Sequence, residues 1–178
     1  LFIFGLGIAI TFLVLAAQFE SYIHPLVIML TVPLTISGGL LGLYLTGNSL
    51  NLYSQIGLVM LIGLAAKNGI LIVEFANQLR DRGRAFTDAL EEAASARLRP
   101  ILMTGLTTAA GAIPLVVSSG AGSETRAVIG VVVISGVLAS TLFTLFIVPA
   151  AYQVLARNTG SPLAVAKRLR RQSEDWER

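Results

Sequence analysis

The sequence has no cysteine, a single histidine (His24) and a single tryptophan, and charged residues make up only 13% of its 178 positions. Without cysteine there is no disulfide framework, thiolate metal site, iron–sulfur cluster or thiol nucleophile. One histidine argues against a histidine-built zinc or haem centre, and no cofactor or metal is expected. No Ser/His/Asp set, phosphate-cradling loop or paired-carboxylate site is present, so the residues offer no support for an enzyme. What remains is apolar: 54% of the residues are hydrophobic and the mean hydropathy is +0.77, outside the range of a soluble globular domain. The expected fold class is an all-α membrane protein.

The net charge of +3 suggests a nucleic acid or lipid surface only until the charges are located. From Leu1 to Val73 the formal charges are Glu20 and Lys67 alone, which leaves runs that membrane lipids solvate and water does not. Hydropathy divides the first 157 residues into five expected transmembrane helices, at about 1–19, 25–46, 53–77, 99–118 and 125–156. Three joins are short and turn-like: QFESYIH, GNSLNL and SGAGSE. The fourth, 78–98, carries Phe86, Ala89, Leu90, Ala93 and Ala94 at helical spacing, which fits either an amphipathic helix on the membrane surface or a solvated helical loop.

Lys and Arg are retained on the cytoplasmic side of short loops. Arg80, Arg82, Arg84, Arg97, Arg99 and six basic residues from Arg157 onward fall on one side, against Arg126 on the other. The loop 78–98 and the C-terminal tail 158–178 are therefore expected in the cytoplasm. The tail, with KRLRR followed by SEDWE, reads as a solvated terminus that enforces topology or as a contact for anionic lipid. An opening on Leu within an apolar run leads us to expect the back part of a longer polypeptide.

Lys67 is the informative residue. At 1.5 Å per residue it sits roughly 15 to 20 Å from either end of its span, near the bilayer midplane. Insertion scales charge such a side chain about 2.5 to 3.5 kcal/mol, which makes an intramembrane lysine a functional candidate that needs a partner. Glu74 shares its helical face but lies seven residues on, a rise of about 10.5 Å, beyond a direct ion pair. Either Lys67 is neutralised by desolvation, or its carboxylate belongs to chain outside this sequence, and the second is favoured. A lysine facing a buried carboxylate is a proton switch, because protonating the acid removes the attraction and lets the helices repack. A static pair that only fixes helix register is the other reading.

Asn68 and Thr104 can hydrogen-bond across helices. Composition alone assigns Thr104 to its own helix backbone four residues back, in a helix whose first turn Pro100 marks, and assigns Arg97 and Arg99 to topological anchoring. Gly38 and Gly42, Ala65 and Gly69, and Gly105 and Ala109 form small-xxx-small pairs that predict close helix contacts. Met29, Met60 and Met103 are isolated, and core packing is expected of them.

The stretches GLAAKNGILIVEFANQLRDRG (63–83), RLRPILMT (97–104), GAGSE (120–124), and the opening LAAQFES and LTVPL resemble the resistance-nodulation-division transporters, most closely the hydrophobe/amphiphile multidrug efflux branch. That resemblance implies a proton antiporter of the Gram-negative inner membrane with twelve helices, of which this chain matches the eighth to the twelfth. It further implies a homotrimer joined to a periplasmic adaptor and an outer-membrane channel, exporting hydrophobic and amphiphilic drugs. Lys67, Arg97 and Thr104 match the family's proton-relay lysine, arginine and threonine, with Asn68 and Glu74 as possible polar support. The family's paired relay aspartates have no counterpart in the sequence, so the N-terminal half of the same chain would supply them, and the family's periplasmic drug-binding domains are absent from it too. The alternatives are a non-transporting membrane scaffold or truncated gene product, and an exporter of metal ions or proteins within the same superfamily.

Overall fold

The computed structural model describes residues 2–19 and 21–155, and the tail 158–178 lies outside them. The described chain forms six α-helices: α1 Phe2–Phe19, α2 Ile23–Met29, α3 Thr31–Leu45, α4 Leu52–Asp81, α5 Phe86–Val117 and α6 Ser123–Leu155. With α2 and α3 taken as one span, Ile23–Leu45, five helical stretches are long and apolar enough to cross a membrane. There is no strand among the described residues.

Local chemistry explains where these helices start, break and stop. Pro33 has no N–H to offer the carbonyl of Met29 and its ring crowds that carbonyl, and the chain duly relaxes at Leu30 between α2 and α3. A capping box opens α4: the Asn51 side chain accepts from the Ser54 N–H at 2.9 Å, and the Ser54 hydroxyl accepts from the Asn51 N–H at 2.8 Å. Gly83, at φ 89°, ends it, letting the Arg84 N–H turn back to the carbonyl of Leu79 at 3.2 Å.

The stretch 78–98, expected as one join, is divided by that stop. Residues up to Asp81 complete α4, and Phe86 begins α5, which continues without interruption through the next apolar span. Pro100 therefore lies in the interior of α5 rather than in its first turn. Helix-forming residues on both sides of it (EEAASARL and ILM) keep the helix intact at the loss of one hydrogen bond.

Packing centres on α6, which lies along α3, α4 and α5, whereas α1 rests mainly on α2 and α4 and buries only Leu15 and Phe19. Small residues set the closest approaches, as their spacing predicts. A Cβ on Gly38 would meet that of Ala139, one on Gly42 would meet Ser135, and one on Gly105 would meet Thr141. Gly69 takes the side chain of Ile28, with a would-be Cβ at 3.0 Å from it. The methionines depart from expectation. Met29 packs against the core, but Met60 and Met103 are 51% and 72% exposed. Helices that are apolar all round carry no hydropathy stripe to say which face is turned inward.

Candidate functional site

Lys67 stands midway along the thirty residues of α4, and its side chain is exposed on the flank of the bundle. It forms no ion pair among the described residues. Asn68 next to it is turned inward and only 6% exposed. Beneath the two, where α4, α5 and α6 meet, is a cavity of about 20 Å³ lined by Leu64, Lys67, Asn68, Thr104, Gly105, Thr108, Val137 and Ser140. The fold thus brings three of the expected residues, Lys67, Asn68 and Thr104, around one small polar space. Gly105 makes this possible, because it lets α5 approach α6 one residue beyond Thr104.

The Thr104 hydroxyl donates to the carbonyl of Ile101 at 3.1 Å, three residues back rather than the expected four. Thr108, one turn on, donates to the carbonyl of Thr104 at 2.7 Å. A hydroxyl whose hydrogen is committed to the backbone still presents oxygen lone pairs, which suit it to accept from a neighbouring ammonium. Ser140 of α6 adds a third hydroxyl to the cavity; spacing on α4 and α5 alone gave no reason to single it out.

Arg97 and Glu74 are not among the cavity's lining residues. Arg97 precedes Thr104 by seven residues of α5, a rise of about 10.5 Å. Its guanidinium carbon lies 4.7 Å from the centre of the Phe75 ring, in cation–π contact, and its Nε is buried without a hydrogen-bond partner among the described residues. Glu74 is exposed and borders a separate cavity of about 170 Å³, together with Gln18, Phe19, Asn77, Gln78 and Asp81.

A second polar cluster went unnoticed in the sequence, where His24 served only to argue against a metal site. The Tyr152 hydroxyl donates to Asn77 Oδ1 at 2.7 Å, accepts from Arg80 Nη1 at 3.1 Å, and lies 3.3 Å from His24 Nε2. Its ring stacks on Phe86 with centroids 5.5 Å apart, Arg80 covers the same Phe86 at 5.0 Å, and His24 stacks on Phe19 at 5.8 Å. Tyr152, His24 and Asn77 are nearly inaccessible. The cluster joins the ends of α1, α4 and α6 to the beginnings of α2 and α5, so all five spans are tied together at one end of the bundle. No group of His, Asp and Glu among the described residues could hold a metal ion.

A model of the AcrB/AcrD/AcrF family matches residues 1–156. The chain is 46% identical over 160 residues to an uncharacterized transporter of Haemophilus influenzae, covering 86% of this chain and 16% of that protein. It is 44% identical over 159 residues to the toluene efflux pump membrane transporter TtgB of Pseudomonas putida, covering 89% of this chain and 15% of that protein. Over 154 residues it is likewise 44% identical to the multidrug resistance protein MdtF of Escherichia coli, covering 86% of this chain and 15% of that protein. The chain therefore spans 15% to 16% of the length of these relatives. With five helices long and apolar enough to cross a membrane and a family match that contains every described residue, this chain belongs to the AcrB/AcrD/AcrF family of resistance-nodulation-division efflux transporters.

Proposed function

We propose that this chain is the eighth to twelfth transmembrane helices of a proton-driven multidrug efflux transporter of the Gram-negative inner membrane, and that Lys67, Thr104 and Arg97 belong to its proton relay. The observation that carries the reading is Lys67 itself, a midspan cation with no anionic partner among the described residues, exposed on one side and bordering a polar cavity on the other. Its exposed side is where the paired aspartates of the remaining helices would face it. An ion pair at 4 Å is worth roughly 4 kcal/mol at an effective dielectric of 20. Charge moving down the membrane potential supplies about 2.3 kcal/mol per 100 mV. The two are of the same order, so protonation of the acid can release the lysine and carriage of that proton can drive the release in one direction.

The released ammonium needs another acceptor, and the lone pairs of Thr104 and the Asn68 amide at the cavity are available to it. Arg97, seated on Phe75, is a fixed positive charge farther along α5 that favours the ionised acid. The Arg-rich loop and tail are cytoplasmic on this reading. The names of TtgB and MdtF favour toluene-like solvents and drugs as cargo. A homotrimer with a periplasmic adaptor and an outer-membrane channel is the assembly we infer.

The test is Lys67→Met in the full-length transporter, read as proton-dependent dye efflux at equal expression. Loss of efflux is the expected result. Efflux that survives would refute the relay and leave the scaffold reading, in which a midspan charge is dispensable.

A further inference from the structure

Most hydroxyls within these helices are satisfied in one way. Thr11, Thr35, Thr108 and Thr141 each donate to the carbonyl four residues back at 2.7 to 2.8 Å, the usual state of such residues in a membrane helix. Ser140 and Thr144 of α6 differ. They are 1% and 0% exposed, and neither hydroxyl has a hydrogen-bond partner among the described residues. A buried hydroxyl left unpaired is unfavourable, so two of them one turn apart call for an explanation. Ser140 supplies one: it lines the cavity of about 20 Å³ that Lys67 and Thr104 also line, and that volume accommodates about one water molecule. Ser140 itself is almost inaccessible from outside this chain, so the partner that fits its hydroxyl is a small molecule seated in the cavity.

We propose that Ser140 holds a water molecule against Lys67 and Thr104, making α6 a third wall of the proton site. The water accepts from Ser140 and from the ammonium and donates to the lone pairs of Thr104, so it gives Lys67 a place to turn when its carboxylate is protonated. Thr144, one turn farther along α6, does not line the cavity and has no part in this water site. The inference rests on the relay reading of Lys67 and adds to it a residue and a ligand.

The experiment pairs Ser140→Ala with Lys67→Met in the full-length transporter, reading dye efflux as a function of pH, thermal stability, and the structure at a resolution that shows water. Ser140→Ala adds no volume and breaks no hydrogen bond to another described residue, so it folds as the parent does. Expected are water density between Ser140 and Lys67, an efflux rate lower by about tenfold at most, as for loss of one hydrogen bond near a charge, and a displaced pH profile, all at unchanged stability. If Ser140→Ala leaves rate and pH profile unchanged while Lys67→Met abolishes efflux, the water site is refuted and the relay stands. A lower rate with an unmoved pH profile assigns Ser140 to packing and also refutes the proposal. Full efflux in Lys67→Met refutes the relay and this inference with it.

Discussion

Replacing Tyr152 by Phe removes one oxygen and leaves the ring stacked on Phe86. That oxygen donates to Asn77 Oδ1, accepts from Arg80 and lies beside His24. The Nδ2 of Asn77 is already buried without a hydrogen-bond partner among the described residues, and the substitution also takes the 2.7 Å hydroxyl donor away from its Oδ1. An unsatisfied buried polar group costs about 1 to 3 kcal/mol, whereas interhelical hydrogen bonds in membranes average about 0.6 kcal/mol with a maximum near 1.7. Since this oxygen serves partners on α2 and α4 in a site closed to water, we expect a loss of about 1.5 to 2.5 kcal/mol, toward the upper end of those ranges. The assay is SDS-induced unfolding of the full-length transporter in micelles, comparing the parent, Tyr152→Phe, Asn77→Leu and the double variant. The double variant should lose less than the sum of the singles, by about 1 kcal/mol, because either single change breaks the same bond. Additive losses, or a Tyr152→Phe effect below about 0.5 kcal/mol, would show that the hydroxyl does not tie these helices together.

At the contact of α3 with α6, Gly38→Val drives a side chain into Ala139 and should cost about 1 to 3 kcal/mol or more, seen as loss of folded protein in the membrane. Ala139→Gly in the same chain should restore part of it. At Arg97, Phe75→Leu keeps an apolar side chain but removes the ring beneath the guanidinium, an interaction worth about 0.5 to 2 kcal/mol. Proton-coupled dye efflux should fall several-fold in Phe75→Leu and persist in Phe75→Tyr, and equal rates in the two would refute a role for the ring.

Much of this architecture is written in composition. Apolar runs separated by GNSLNL and SGAGSE locate the spans, and Gly38, Gly42 and Gly105 announce where backbones meet, because a missing side chain has one obvious use in a lipid-immersed bundle. Lys67 stands out because a charge in an apolar run is costly wherever its helix packs. Facing is harder to read: Met60 and Met103 look like core residues in a chain where lipid and core are equally apolar. Pro100 looked like a helix start because its local preference outweighed the strong helix formers around it. The Tyr152 cluster was hidden for a different reason. His24 and Tyr152 are 128 residues apart in the chain, and each alone is an ordinary polar residue near the end of an apolar run. Ser140 is similarly mute, since a serine becomes notable only when its hydroxyl is found unpaired beside a cavity.

Fastening all five spans at the Tyr152 end gives the bundle a fulcrum. Lys67 lies ten residues from Asn77 along α4, roughly 15 Å, so a tilt of about 5° about that point displaces it by about 1.3 Å. At Leu52, roughly 37 Å from the same point, the displacement is about 3 Å. A shift of the first size is enough to make or break a hydrogen bond, and the second resembles a change of packing between helices. The same small rotation is therefore a chemical event at midspan and a mechanical one at the far ends, and the leverage between them is set by where along the helices the lysine was placed.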